Sequence, residues 1–196
     1  MLKRRNKVNR YYQIKITLIG SNPVIYRRIL INPEICFPEF HDMIQDIMGW
    51  EDDHLHLFRK GKKYYRDSSD DGFGNTVDYW DIKIMDVLIK IKDKMIYEYD
   101  FGDGWEHEII LEKIVEEEEV FNIQCIEGAM NCPPEDCGGI AGFYNMLEIV
   151  KNPEEEEYEE ILEWLGDDYD PEYFDLEKLN ELLKSYNKIV KKTKKK

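Results

Sequence analysis

Nothing in these 196 residues is apolar over a stretch long enough to cross a bilayer. The sequence also lacks a glycine-rich phosphate loop, a dinucleotide fingerprint and a Gly-x-Ser-x-Gly elbow, so the common nucleotide-binding and serine-hydrolase signatures are missing. Cysteine is sparse. Cys36, Cys125, Cys132 and Cys137 are too few to staple a chain of this length. The last three do not have the spacing of paired C-x-x-C zinc knuckles, which leaves buried inert thiols or a three-Cys plus His site. Positive charge is short as well: 27 basic residues against 42 acidic ones give a net charge of -15. Such a body disfavours a broad groove that tracks nucleic-acid phosphates. After a basic start, Tyr11 to Gly20 alternates with Gln13, Lys15 and Thr17, which is no signal-peptide core. The expectation is a cytoplasmic protein with reduced thiols and no membrane partner.

The cations that are present gather at the ends. Lys3, Arg4, Arg5, Lys7 and Arg10 make residues 1–10 a basic N-terminal tail, and Lys191, Lys192, Lys194, Lys195 and Lys196 make 191–196 a basic C-terminal one. These tails either contact nucleic acid or are solvated ends. Residues 11–190 between them read as a single domain. At 42% hydrophobic content it has enough apolar residues for a core.

The most informative stretch is Tyr97-Glu98-Tyr99-Asp100-Phe101-Gly102-Asp103-Gly104-Trp105-Glu106-His107-Glu108. Apolar and acidic residues alternate on both sides of Phe-Gly-Asp-Gly, which predicts a β-hairpin whose glycines supply the left-handed reversal. Tyr97, Tyr99 and Phe101 share one parity, as do Trp105, His107, Ile109 and Leu111. The hairpin therefore has one apolar side, with Asp100, Asp103 and His107 near its tip.

Elsewhere, 11–20 and 24–31 read as strands joined by the turn Ser21-Asn22-Pro23. Adjacent Arg27 and Arg28 must face opposite ways, so at least one is wet. Phe37 to Trp50 has helical spacing, with Pro38 in its first turn and Gly49 as its stop. Asp53 to Arg59 reads as a strand that puts His54 and His56 on one face. A strand over 62–66 follows Gly61, then a polar loop over 67–78, the mobile candidate. A short helix falls within 82–91. Glu116 to Glu119 reads as a solvated acidic block and 123–126 as a strand. Helices are expected over 140–151, 154–165 and 176–190, the last packing through Leu176, Leu179, Leu182, Leu183 and Tyr186. The fold class is α+β: a mixed or largely antiparallel sheet built from β-hairpins and covered by helices, including the C-terminal ones. A β-grasp-like core is the refinement.

Four ordered blocks carry a family resemblance: Pro23-Val24-Ile25-Tyr26-Arg27-Arg28-Ile29; His41 through Met48-Gly49-Trp50 with His54-Leu55-His56-Leu57-Phe58; the hairpin from Tyr97 to His107; and Pro133-Pro134-Glu135-Asp136-Cys137-Gly138-Gly139. Over roughly residues 11–175 the chain resembles the plasmid Ri ORF-three-like family, also described as insertion-element passenger proteins of the TnpR-like type. Tyr26 stands where that family usually has Trp. The resemblance implies an α+β fold and a mobile-DNA context, and it brings no activity with it.

The candidate binding residues are Asp100, Asp103, Trp105, His107, Glu135 and Asp136. Asp100-Phe101-Gly102 is not a kinase motif here, because the glycine-rich loop and the His-Arg-Asp loop are both missing. All four histidines (His41, His54, His56, His107) lie in or beside the blocks above. A divalent metal would draw on His54, His56, His107 and Asp100, with Asp103, Glu135 or Asp136 completing an N/O set. Histidines bonded within the fold are the plainer account. For Pro133 to Gly139, capping of the next helix by Asp136 is expected rather than an anion site. The first functional expectation is a non-catalytic binding module for a protein, or for nucleic acid through the tails. The alternative is a metal-dependent, hydrolase-like enzyme at the hairpin.

Overall fold

The computed structural model describes residues 8–68, 75–118, 121–166 and 169–187. Its elements run β1 (Asn9–Leu18), β2 (Tyr26–Ile31), α1 (Phe37–Met48), β3 (His56–Lys60), β4 (Lys63–Arg66), β5 (Thr76–Asp78) and α2 (Ile84–Val87), followed by β6 (Lys94–Tyr99), β7 (Trp105–Glu117), β8 (Gln124–Ala129), α3 (Gly139–Ile149), α4 (Tyr158–Leu165) and α5 (Leu176–Leu183). The strands form one eight-stranded sheet in the order β5-β4-β3-β6-β7-β1-β2-β8. Its pairs are antiparallel except β4 with β5. The expected α+β class, with a mixed and largely antiparallel sheet, is the observed one.

Alternation sets the two faces of this sheet. Tyr12, Ile14, Ile16 and Leu18 of β1 are buried, as are Tyr97, Tyr99, Trp105, His107, Ile109 and Leu111 of the central hairpin. Helix α1 covers this face with Phe37, Phe40, Met43, Ile44 and Ile47. Phe37 and Phe40 pack on Phe58 of β3, with ring centroids 4.5 and 5.9 Å away. Gly49 ends α1 in the left-handed conformation at φ 80°. The opposite face is wet and charged. Arg28 pairs with Glu112 and Glu127, Arg59 with Glu106, and Lys94 with Glu108. Solvent screens pairs of this kind, so they contribute little to stability. Arg27, one residue from Arg28, points inward and is buried. It donates to the carbonyls of Ile47, Tyr26 and Ala129 and lies over the Phe174 ring, so its charge is hydrogen-bonded on several sides.

Several expected boundaries move. β3 starts at His56, so His54 lies before the strand and the two histidines do not share a strand face. Thr76–Asp78 of the polar loop pairs with β4, while 69–74 lies outside the described residues. The acidic block begins within β7, which carries Glu116 and Glu117, and Glu119 lies outside the described residues. Helix α5 ends at Leu183. Leu179 and Leu183 are buried, but Leu176 and Leu182 face solvent. Both basic tails fall largely outside the described residues, although Arg10 is in β1 and pairs with Glu116. Among the described residues, no helix is long and apolar enough to cross a membrane.

Candidate metal centre

The β6–β7 hairpin pairs from Lys94↔Ile110 to Tyr99↔Trp105, and Asp100 to Gly104 make the reversal. Both glycines were expected to take left-handed angles. Instead Asp100 and Gly104 do so, at φ 52° and 67°. Asp100 tolerates this conformation because its own carboxylate closes the turn: Gly102 N donates to Asp100 Oδ1 at 2.8 Å. The backbone N–H of Asp100 donates to Leu55 O at 2.9 Å, which ties the tip to the chain just before β3 and brings His54 alongside.

Pro133 to Gly139 folds over this tip. Trp50 Nε1 donates to Pro133 O at 2.9 Å, and Gly138 N donates to Asp103 Oδ2 at 3.1 Å. Gly139 lies so close that a Cβ there would be 2.3 Å from Asp103 O. The Tyr99 hydroxyl donates to Glu135, whose other oxygen accepts from Glu51 N at 2.8 Å. The expected cap of α3 is thus corrected. Asp103, reaching across from the hairpin, accepts from the N-cap residue Gly138, and Asp136 is left for another role.

That role is at His54. With φ 56° at Asp136, its Oδ1 stands 3.1 Å from His54 Nε2. Nε2 is shut off from solvent, yet the pair is not aligned as a hydrogen bond. His54 Nδ1 lies 4.0 Å from Asp100 Oδ1. His54, Asp100 and Asp136 each offer one ligand atom, all within 4.8 Å of one another. Asp100 is buried and Asp136 exposed, so the trio has one dry side and one open side.

A second group, His41, Asp52 and His56, meets the same distance criterion. His41 Nε2 is 2.8 Å from Asp52 Oδ1, and its Nδ1 is 2.8 Å from the Tyr97 hydroxyl. Burial lowers the His41 pKa to about 4, so the ring is neutral at neutral pH. His54 and His56, expected to share one ion, therefore belong to different groups.

The remaining candidates do not join either trio. His107 is fully buried between Tyr97 and Trp50, and burial lowers its pKa to about 3. Trp105 is buried in the core. Asp103 and Glu135 hold the 133–139 segment in place. Cys125, Cys132 and Cys137 lie in separate surroundings: beside Glu127 O, against Met48 and Arg27, and beside Gly139 O. Burial pushes all three thiols up, Cys137 to about 12, as expected of inert thiols. The Asp52 contribution had no local sign. Asp52 is one acid in a run of three, and it reaches His41 only through the chain reversal after α1.

The model of the family described as plasmid pRiA4b ORF-3-like protein matches residues 10–178. The chain is 33% identical over 178 residues to the uncharacterized protein y4hQ of Sinorhizobium fredii (strain NBRC 101917 / NGR234), covering 86% of this chain and 88% of that one. It is also similar to the crystal structure of the protein of unknown function MM3350 from Methanosarcina mazei Go1. There the TM-score is 0.76 at 37% identity, over 86% of this chain and 97% of the other. With the whole hairpin and both histidine clusters inside the matched span, the chain belongs to the plasmid pRiA4b ORF-3-like family.

Proposed function

We propose that this chain is a metal-dependent enzyme of the hydrolase kind, with His54, Asp100 and Asp136 as the ligands of a divalent ion at the hairpin mouth. The observation that carries this reading is the approach of His54 Nε2 to Asp136 Oδ1 at 3.1 Å without hydrogen-bond alignment. Two atoms that each sit about 2.1 Å from one ion stand about 3 Å apart when the angle between them is near a right angle. One imidazole and two carboxylates suit Mn²⁺, Fe²⁺ or Zn²⁺, and three protein ligands leave a position for water. Held by these three residues, such an ion would supply a water-derived nucleophile near neutral pH. Leu55 and Phe101 stand exposed next to His54 and Asp100 and offer an apolar rim to a substrate.

The test is elemental analysis and calorimetric titration of untagged protein, followed by assay against ester and amide substrates. A stoichiometric metal lost in Asp100→Asn, together with metal-dependent turnover, is expected. Absence of binding in the wild type ends the proposal. The second reading, a non-catalytic interaction module, draws support from a cavity of about 400 Å³ lined by Pro23, Met130, Tyr144, Leu147, Leu162 and Leu165. A screen against DNA, RNA and lysate proteins separates the two: a partner bound equally well by chelator-treated protein favours the module.

A further inference from the structure

We propose that His41, Asp52 and His56 form a second metal site, separate from the hairpin mouth and specific for a borderline ion of the Zn²⁺ type. The argument starts from the outer nitrogens of the two rings. The Tyr97 hydroxyl sits 2.8 Å from His41 Nδ1, and the Tyr79 hydroxyl sits 3.2 Å from His56 Nε2. Tyr97 is itself held by Gln45 Nε2 at 2.7 Å. An imidazole whose far nitrogen is engaged by a fixed polar group is the usual arrangement around a metal, because that bond sets the tautomer and aims the ligating nitrogen. Ligation through His41 Nε2 and His56 Nδ1 requires each far nitrogen to carry its proton and donate to its tyrosine oxygen.

The third ligand is already beside the first. Asp52 Oδ1 is 2.8 Å from His41 Nε2, and one ligand atom from each of the three residues lies within 4.8 Å of the others. The two rings are stacked, with centroids 3.4 Å apart and planes 9° from parallel. Lone pairs lie in the ring planes, so His56 must tilt to share an ion with His41. His56 is the first residue of β3 and only partly buried, so it is the ring that would turn. His41 is rigid by contrast, because α1 holds it in the core. A His–Asp hydrogen bond alone would need neither a second imidazole nor Tyr79. Two imidazoles and one carboxylate favour Zn²⁺ over Mg²⁺ or Ca²⁺. Asp52 is half-exposed and gives the ion a route in from solvent.

The test is Zn²⁺ titration of chelator-stripped, full-length protein by calorimetry, repeated with Co²⁺ to read ligand-field absorption. The wild type is expected to take up two equivalents, and Asp100→Asn/Asp136→Asn to keep one. His56→Ala is expected to lose one, and Tyr79→Phe to weaken this site about tenfold. His56→Gln serves if circular dichroism shows that the alanine variant has unfolded. Loss of all Zn²⁺ uptake in Asp100→Asn/Asp136→Asn overturns the inference, as does retention of both equivalents in the folded His56 variant. A single wild-type equivalent that survives Asp100→Asn/Asp136→Asn but not His56 substitution upholds this site and removes the hairpin-mouth centre.

Discussion

His107 is a buried imidazole surrounded by aromatic rings. Its ring lies 5.3 Å from Trp50 and 5.7 Å from Tyr97. The carbonyls of Trp105 and Tyr97 lie near enough to offset part of the shift, but neither ring nitrogen makes a hydrogen bond of good geometry. Burial therefore dominates and lowers the pKa to about 3. In the unfolded chain the same ring protonates near its ordinary value of about 6.5. The folded chain excludes that proton, so the stability present above about pH 6.5 is lost as pH falls toward the folded value. The slope approaches about 1.4 kcal/mol per pH unit for one such group. Urea unfolding from pH 7 to 4 should fall less steeply for His107→Phe than for the wild type, by nearly one proton's worth. Parallel slopes would show that this imidazole does not drive acid unfolding. Gly139 makes a second residue-scale case. At φ 67° and with Asp103 O only 2.3 Å from where a Cβ would sit, it has neither the angle nor the space for a side chain. Gly139→Ala should cost more than about 1 kcal/mol. Gly49→Ala shares the left-handed angle but meets nothing within 4 Å, so it should cost less in the same denaturation experiment.

At the scale of elements, the exposed edge of β8 is managed by a helix. Asn180 of α5 accepts from Cys125 N at 2.8 Å and donates to Cys125 O at 3.0 Å, and Asn187 accepts from Ile123 N at 2.7 Å. Amide side chains thus pair with backbone groups that would otherwise recruit a neighbouring strand. Asn180→Leu leaves the Cys125 peptide unpaired, and each orphaned group costs about 1–3 kcal/mol. The expected result is a lower melting temperature and concentration-dependent association by light scattering. A monomer with unchanged melting would count against the edge role. This contact also explains which parts of the fold the sequence leaves unreadable. α1, β1 and the central hairpin were legible because their burial follows the period of their own side chains. α5 was half legible, since Leu179 and Leu183 pack while a polar Asn180, rather than Leu182, faces the sheet edge. The candidate site was legible only as a hairpin with acids at its tip. The proposed ligand set was not, because Asp103 meets Gly138 across 35 positions and His54 meets Asp136 through that same closure. Neither contact has a local pattern, and the start of β3 at His56 removes the parity that had joined the two histidines.

For the molecule as a whole, charge and the proposed metal binding are linked. A net charge of -15 opposes compaction, and several of the acids responsible converge at His54 and at His41. Cations then have two ways to stabilise the fold. Salt screens the general repulsion with a Debye length of about 8 Å at 0.15 M, and it does so for any variant of similar charge. A bound divalent ion acts only through its ligands. With free metal at 100 times Kd, one site adds about 2.7 kcal/mol to folding stability. For a chain of about 200 residues each kcal/mol moves the melting temperature about 2–4 °C, so one site shifts it by about 5–11 °C. Thermal melts of the wild type should therefore rise with Zn²⁺ or Mn²⁺ and fall back with a chelator, while NaCl lifts wild type and Asp100→Asn/Asp136→Asn alike. The double variant removes two negative charges, so its melting temperature before metal addition is expected to be similar or higher. Its metal-dependent shift is expected to be smaller than that of the wild type by one site's worth. An equal shift in both proteins would mean that the ion acts elsewhere, at His41, Asp52 and His56 or through the acidic surface at large, and the hairpin-mouth trio would then be a set of side chains with no ligand.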